Sequence, residues 1–272
     1  MSSSNDPTLR DDLTALFVAD EERNPVKAAQ REMARPLPKR FYTDVAVVPV
    51  ENGFGLSLDG KAVRTPARAA LALPTLALAE AIAAEWRGQG EHINPATMPL
   101  TRMANTALDG VAAQMAQVAA EVAKFAGSDL ICYRAGEPEA LIAAQNAAWT
   151  PVLDFARDFL GARFNLAEGV MFVAQPEETL AAVARAIEDE AAKPDGAFRL
   201  TALHEMTALT GSVLIALALA RGAETFERGW AAAHVDEDHQ IRLWGADAEA
   251  QARRDIRLRD MRAAYEMYAA LG

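Results

Sequence analysis

The densest set of side chains able to do chemistry is the tract His234-Val235-Asp236-Glu237-Asp238-His239. Two imidazoles and three carboxylates within six residues suggest a metal site or a general acid and base. On a helix, however, His234 and Asp238 share a face, while His239 points about 140° away from His234, so the two rings do not converge on one ion. No HExxH pair or cysteine array supports a metal. The expectation is no bound metal, with Asp236, Asp238 and His239 on a solvated face.

Glu237 is different. In a helix running from about Thr225 to Trp244, it projects within about 40° of Phe226, Trp230, Ala233, Ile241 and Trp244, at roughly 100° per residue. A carboxylate on an apolar stripe costs several kcal/mol to bury unless it is paired. Four roles stay open at this point. It could pair with a buried arginine, snorkel to water at a rim, act as a general acid or base with a raised pKa, or contact another molecule. An enzyme built on His234, Glu237 and Asp238, dependent on a metal or on carboxylates, is the alternative to a binding protein.

Other motifs carry less. Gly55 to Lys61 approaches a phosphate-binding loop, but Ala62 stands where a magnesium-binding hydroxyl is needed and a strand, not a helix, is expected next; no GxGxxG occurs. Nucleotide and cofactor binding are therefore not expected. Cys132, the only cysteine, lies in an apolar run and reads as a buried, unreactive thiol. Tyr265 and Tyr268 read as core or rim aromatics.

The elements that must position these residues follow from the patterning. The 272 residues are 51% hydrophobic and 24% charged, an ordinary globular balance. A net charge of −11 and a pI near 4.9 argue against nucleic acid. Residues 1–40 read as an N-terminal arm, with a short amphipathic stretch at Leu13 to Phe17 and a largely basic, proline-containing lead-in. The acidic start lacks a signal-peptide pattern, and the uncharged run Met206 to Ala220 falls short of the roughly 18 to 20 residues that span a bilayer. Neither export nor membrane insertion is expected.

Residues 41–130 predict an α+β domain: strands around Val45 to Val50 and Phe54 to Leu58, an Asp59-Gly60 hairpin, strands at Lys61 to Thr65 and Ala69 to Leu73, then helices over Thr75 to Gln89 and from Pro99 or Thr101 to Phe125. Residues 131–272 predict an all-α helical bundle, with Glu139 to Gly161, Pro176 to Ala192, a central Leu200 to Ala220 apolar on every side, the Glu237 helix, and Ala248 to Leu271. The fold class is thus α+β, a small β-rich domain with antiparallel sheet followed by a helical one.

A series of short segments adds a resemblance. Arg40-Phe41-Tyr42, Leu58-Asp59-Gly60-Lys61, Arg64-Thr65-Pro66, Leu73-Pro74-Thr75, Ala84-Glu85-Trp86 with Gln89, Ile93-Asn94-Pro95 and Met98-Pro99-Leu100-Thr101 are similar, in order and spacing, to the F-type ATP synthase assembly chaperones that act on the α subunit. Gln145 with Trp149-Thr150-Pro151, and Glu237-Asp238-His239-Gln240 followed by Trp244-Gly245, resemble the helical part of that family. The resemblance implies a non-enzymatic protein that keeps a free α subunit soluble until it pairs with β. It also implies that the family's functionally important glutamate falls on Glu237. Asp238 and His239 depart from the acid and aromatic usual in relatives. The expected partner is the α subunit, the expected contact residues are Glu237, Phe226, Trp230, Ile241 and Trp244, and the expected setting is a bacterial-type cytoplasm.

Overall fold

Asp59 and Gly60 carry φ of 48° and 79°, the positive values a tight two-residue hairpin requires. They join β2 (Gly53–Leu58) to β3 (Lys61–Ala62), and β1 (Val45–Val50) pairs antiparallel on the other side of β2, Val45 opposite Leu58. The Asp59 carboxylate accepts the amides of Thr43 and Asp44, so the turn also fixes the entry to β1. Residues 37–272 are described by this computed structural model; the expected amphipathic stretch at Leu13 to Phe17 and the rest of the arm up to residue 36 lie outside them. The chain divides into two compact units between Ala113 and Gln114, whereas the sequence pattern suggested a change near residue 130.

In the first unit the strands expected at Lys61 to Thr65 and Ala69 to Leu73 shrink to β3 and to single bridges, Arg64 with Ala70 and Phe54 with Leu73. Pro66 has no N–H for a ladder, and Thr65 turns the chain by accepting from Arg68 and, through its hydroxyl, from Ala69. Gly53, at φ 125°, sits against this edge, and a Cβ there would lie 2.2 Å from the Leu73 oxygen. Helix α1 (Leu76–Arg87) is capped by Thr75 and buries Leu78, Ile82 and Trp86 against the sheet. Its Glu85 accepts the amides of Leu100 and Thr101 at 2.7 and 2.8 Å, serving α2 (Pro99–Asp109), whose own N-cap residue Met98 has no capping side chain. Burial raises the Glu85 pKa despite those bonds. The helix expected to reach Phe125 stops at Gly110.

The second unit starts with α3 (Met115–Lys124). Helices α4 (Glu139–Phe159), α5 (Glu177–Ala191), α6 (Gly196–Thr210), α7 (Val213–Ala220), α8 (Phe226–Ala233), α9 (Val235–Trp244) and α10 (Ala248–Ala269) follow. A two-residue parallel pair, β4 (Tyr133–Arg134) with β5 (Ala167–Glu168), lies among them. As the all-round apolar pattern predicts, α6 and α7 form the centre, touched by α3, α4, α5, α8 and α10. They are two helices, because Gly211 adopts φ 69° and Ser212 starts α7 by accepting the Ile215 amide.

Asp129 is fully buried beside that start and accepts the amides of Leu214 and Ile131; burial pushes its pKa up to about 6 against those bonds. Glu190, also fully buried, accepts Tyr268 Oη at 2.6 Å and Lys193 Nζ at 2.7 Å, with Arg221 Nη2 at 3.0 Å, tying α5 to α10. Burial works against its charge, but these donors hold the carboxyl below its usual range. Among the described residues no helix is long and apolar enough to cross a membrane.

Candidate functional site

The expected single helix from Thr225 to Trp244 is broken at His234, whose φ of −122° and ψ of 18° end α8 and begin α9. A break leaves helix carbonyls without their N–H partners. Here side chains replace them. The His234 amide turns to Ala231 at 3.1 Å, and its own Nδ1 meets the Trp230 carbonyl at 2.8 Å. The indole N–H of Trp149, on α4, donates to the Ala232 carbonyl at 2.7 Å. Gly229 allows α8 to approach α7, since a Cβ there would come within 2.8 Å of Leu219.

The break explains the carboxylate that looked misplaced. Asp236, Glu237 and Asp238 occupy the first turn of α9, where the positive end of the helix dipole favours negative charge. Each has its own partner. Gln145 Nε2 donates to Asp236 at 2.7 Å, Arg257 Nη2 lies 3.2 Å from Glu237 Oε2, and Arg254 pairs with Asp238. His234 Nε2 is 3.8 Å from Glu237. Burial lowers the His234 pKa, so the ring is neutral near pH 7 with its proton on Nδ1, and Nε2 offers Glu237 no hydrogen.

The expected contact residues therefore separate. Phe226, 4% exposed, packs on Tyr265 with centroids 5.5 Å apart and lies beneath the Arg262 guanidinium at 4.2 Å. Trp230 is half-buried and lies tilted against His234, with ring centroids 3.8 Å apart. Glu237, Ile241 and Trp244 stay together, lining an open groove of about 600 Å³ with Leu243, Ala250 and Arg254. Trp244 is 72% exposed and Leu243 63%. Glu237 is neither sealed nor free, with 36% of its side chain exposed beside a half-exposed Arg257. His239, expected in solvent, is buried, because the break rotates α9 relative to the continuous helix that placed it.

No three His, Cys, Asp or Glu side chains gather as metal ligands among the described residues. Cys132 is buried, and burial with Asp129 nearby pushes its thiol up to about 12. Sequence reasoning missed Arg254 and Arg257, although their spacing of three on α10 places two cations on one face.

A sequence profile described as the ATP12 chaperone protein matches residues 39–157. The crystal structure of a chaperone candidate from Agrobacterium tumefaciens is 48% identical, with 97% of this chain and 96% of that one covered and a TM-score of 0.84. Atp12 from Paracoccus denitrificans is 38% identical, covering 86% of this chain and 99% of that one, at a TM-score of 0.79. The chain belongs to the ATP12 chaperone family. A single aspartate-to-lysine variant of the Paracoccus protein gives 37% identity, the same 86% of this chain, 98% of that one, and a TM-score of 0.78. In this family member, Gln145 and Trp149 act together: both reach from α4 to the α8–α9 junction and fix the direction in which α9 presents Glu237.

Proposed function

We propose that this ATP12 family member is an assembly chaperone of the F-type ATP synthase. It binds the free α subunit and keeps it available for pairing with β. The observation that carries the reading is the groove along α9, where a half-exposed, arginine-steadied Glu237 stands beside exposed Leu243 and Trp244. An unassembled subunit shows a large apolar interface that invites wrong association. A groove combining an aromatic, aliphatic side chains and one charge suits such a surface, because a few residues of these kinds dominate protein contacts. In this reading Glu237, Ile241 and Trp244 meet the client, while Trp230 packs on His234 at the helix break and Phe226 is buried against α10. The protein works by binding rather than catalysis, with no metal, nucleotide or nucleic acid, in a bacterial-type cytoplasm.

The binding reading is preferred to the enzyme alternative because Arg254 engages Asp238 and Arg257 engages Glu237. The deciding experiment is capture from cells followed by substitution. The α subunit is expected as the main partner of the wild type, and Glu237→Lys is expected to fold and lose it. A folded Glu237→Lys protein that retains full capture would refute the reading.

A further inference from the structure

Between α4 and α5, residues 160–176 form a loop whose tip carries Val170, Met171 and Phe172, exposed by 96%, 76% and 72%. Single apolar side chains on a surface need no explanation, but three consecutive large ones do. A slack loop would let them fold back. This one is held out. Gln175, 9% exposed, accepts the Asn165 amide at 2.8 Å and donates to the Asn165 carbonyl at 2.9 Å, while Asn165 Nδ2 donates to the Ala174 carbonyl at 3.0 Å. These bonds close the neck. On the outgoing side β5 pairs with β4, and the Gly169 amide, at the positive-φ turn, donates to the Arg134 carbonyl at 2.8 Å. The tip is thus displayed on a fixed stem, and the entropy cost of ordering that stem is met during folding rather than on binding.

The stem shares its support with the α9 groove. Gln145, 2% exposed, accepts the Ala135 amide at 2.8 Å, next to the residue that holds Gly169, and its other end donates to Asp236, next to Glu237. Arg134 also bonds Asn146 and lies over the Trp149 ring at 5.0 Å. One stretch of α4 therefore sets both the loop and the groove. The acids flanking the tip in sequence, Glu168 before it and Glu177 and Glu178 after it, are exposed. In a chain of net charge −11, they disfavour an anionic lipid surface and suit a protein pocket with a basic rim.

We infer that residues 169–172 are a second client-contact element, an apolar finger that enters an apolar, basic-rimmed pocket on the same free α subunit held by the Glu237 groove. This rests on the client reading above. The test titrates purified α subunit against the full-length wild type, the double variant Met171→Ser with Phe172→Ser, and Glu237→Lys, with thermal melting of each. The inference expects the double variant to melt with the wild type and to bind at least about tenfold more weakly. Binding within about twofold of wild type would overturn the finger while leaving the client reading in place. A wild type that binds no α subunit would overturn both. Two further results would also overturn the finger by assigning the tip elsewhere: sedimentation with phosphatidylcholine vesicles, or a wild-type dimer, that the double variant loses.

Discussion

The indole of Trp149 reaches the carbonyl of Ala232 at 2.7 Å, across 83 residues of sequence, and so supplies the hydrogen bond that the break before α9 removed. Because both groups are buried, the bond is isolated from water, and its loss leaves a carbonyl with no replacement donor.

Trp149→Phe keeps most of the ring and deletes the donor. It is expected to cost about 1–3 kcal/mol, the penalty for an unsatisfied buried polar group. Urea denaturation measures it, and client capture should weaken in parallel as α9 loses its fixed direction. A variant as stable as wild type would show that the carbonyl finds another partner.

The Glu237 and Arg257 side chains are 36% and 43% exposed, so their ion pair contributes at most about 1 kcal/mol. Glu237→Gln should therefore change stability little. Charge reversal separates internal from external roles. Glu237→Lys combined with Arg257→Glu rebuilds the pair in mirror image; stability should fall by no more than about 1 kcal/mol, the cost of a cation at the start of α9, while α-subunit capture stays lost. Restored capture would mean that the carboxylate serves only Arg257.

Asp129 gives a pH test. Its folded pKa of about 6 lies above the ordinary 3.8, so between those values the folded state keeps a proton that the unfolded state has released. Stability from this group is therefore present below about pH 3.8 and falls as pH rises toward 6. Asp129→Asn has no such proton to lose. From pH 4 to 7 the variant should gain on wild type by a few kcal/mol, on the order of a two-unit shift, read from urea midpoints at each pH. A constant difference between the two proteins would contradict the assignment. Glu190, held below its usual range, has the opposite sign: its contribution is present above the ordinary carboxylate value and is lost only at more acid pH.

Gln175→Ala should open the neck of the finger without touching its tip. The Asn165 amide, which Gln175 accepts at 2.8 Å, is expected to exchange with deuterium at least about tenfold faster, while the core helices α6 and α7 stay protected. Unchanged exchange at Asn165 would show that the loop is held by other means.

Much of the fold could be read locally. Asp59-Gly60 announced a hairpin, Thr75 announced a cap, and the all-round apolar run announced the centre of the bundle. The helix breaks were harder, because apolar periodicity continues on both sides of Gly110, Gly211 and His234. Gly211 offered a signal in its residue type, since φ 69° favours glycine. His234 offered less: its ring bonds the Trp230 carbonyl locally, but the break also depends on Trp149, a residue distant in sequence. The same reason limited the site reading: Glu237 was singled out on the geometry of one long helix, and its grouping with Ile241 and Trp244 survived because those three belong to α9, whereas Phe226 and Trp230 belong to α8. Arg257 could be named as the partner only once α10 was in place.

Gln145 has both ends of its amide committed, one to the Ala135 backbone and one to Asp236. A buried side chain bonded at both ends couples what it joins. On the proposed reading, redesign of client preference at α9 would therefore propagate to the neighbouring loop, and grafting either surface alone onto another scaffold would strip it of its aim. The transplantable module is the pair together with its stretch of α4.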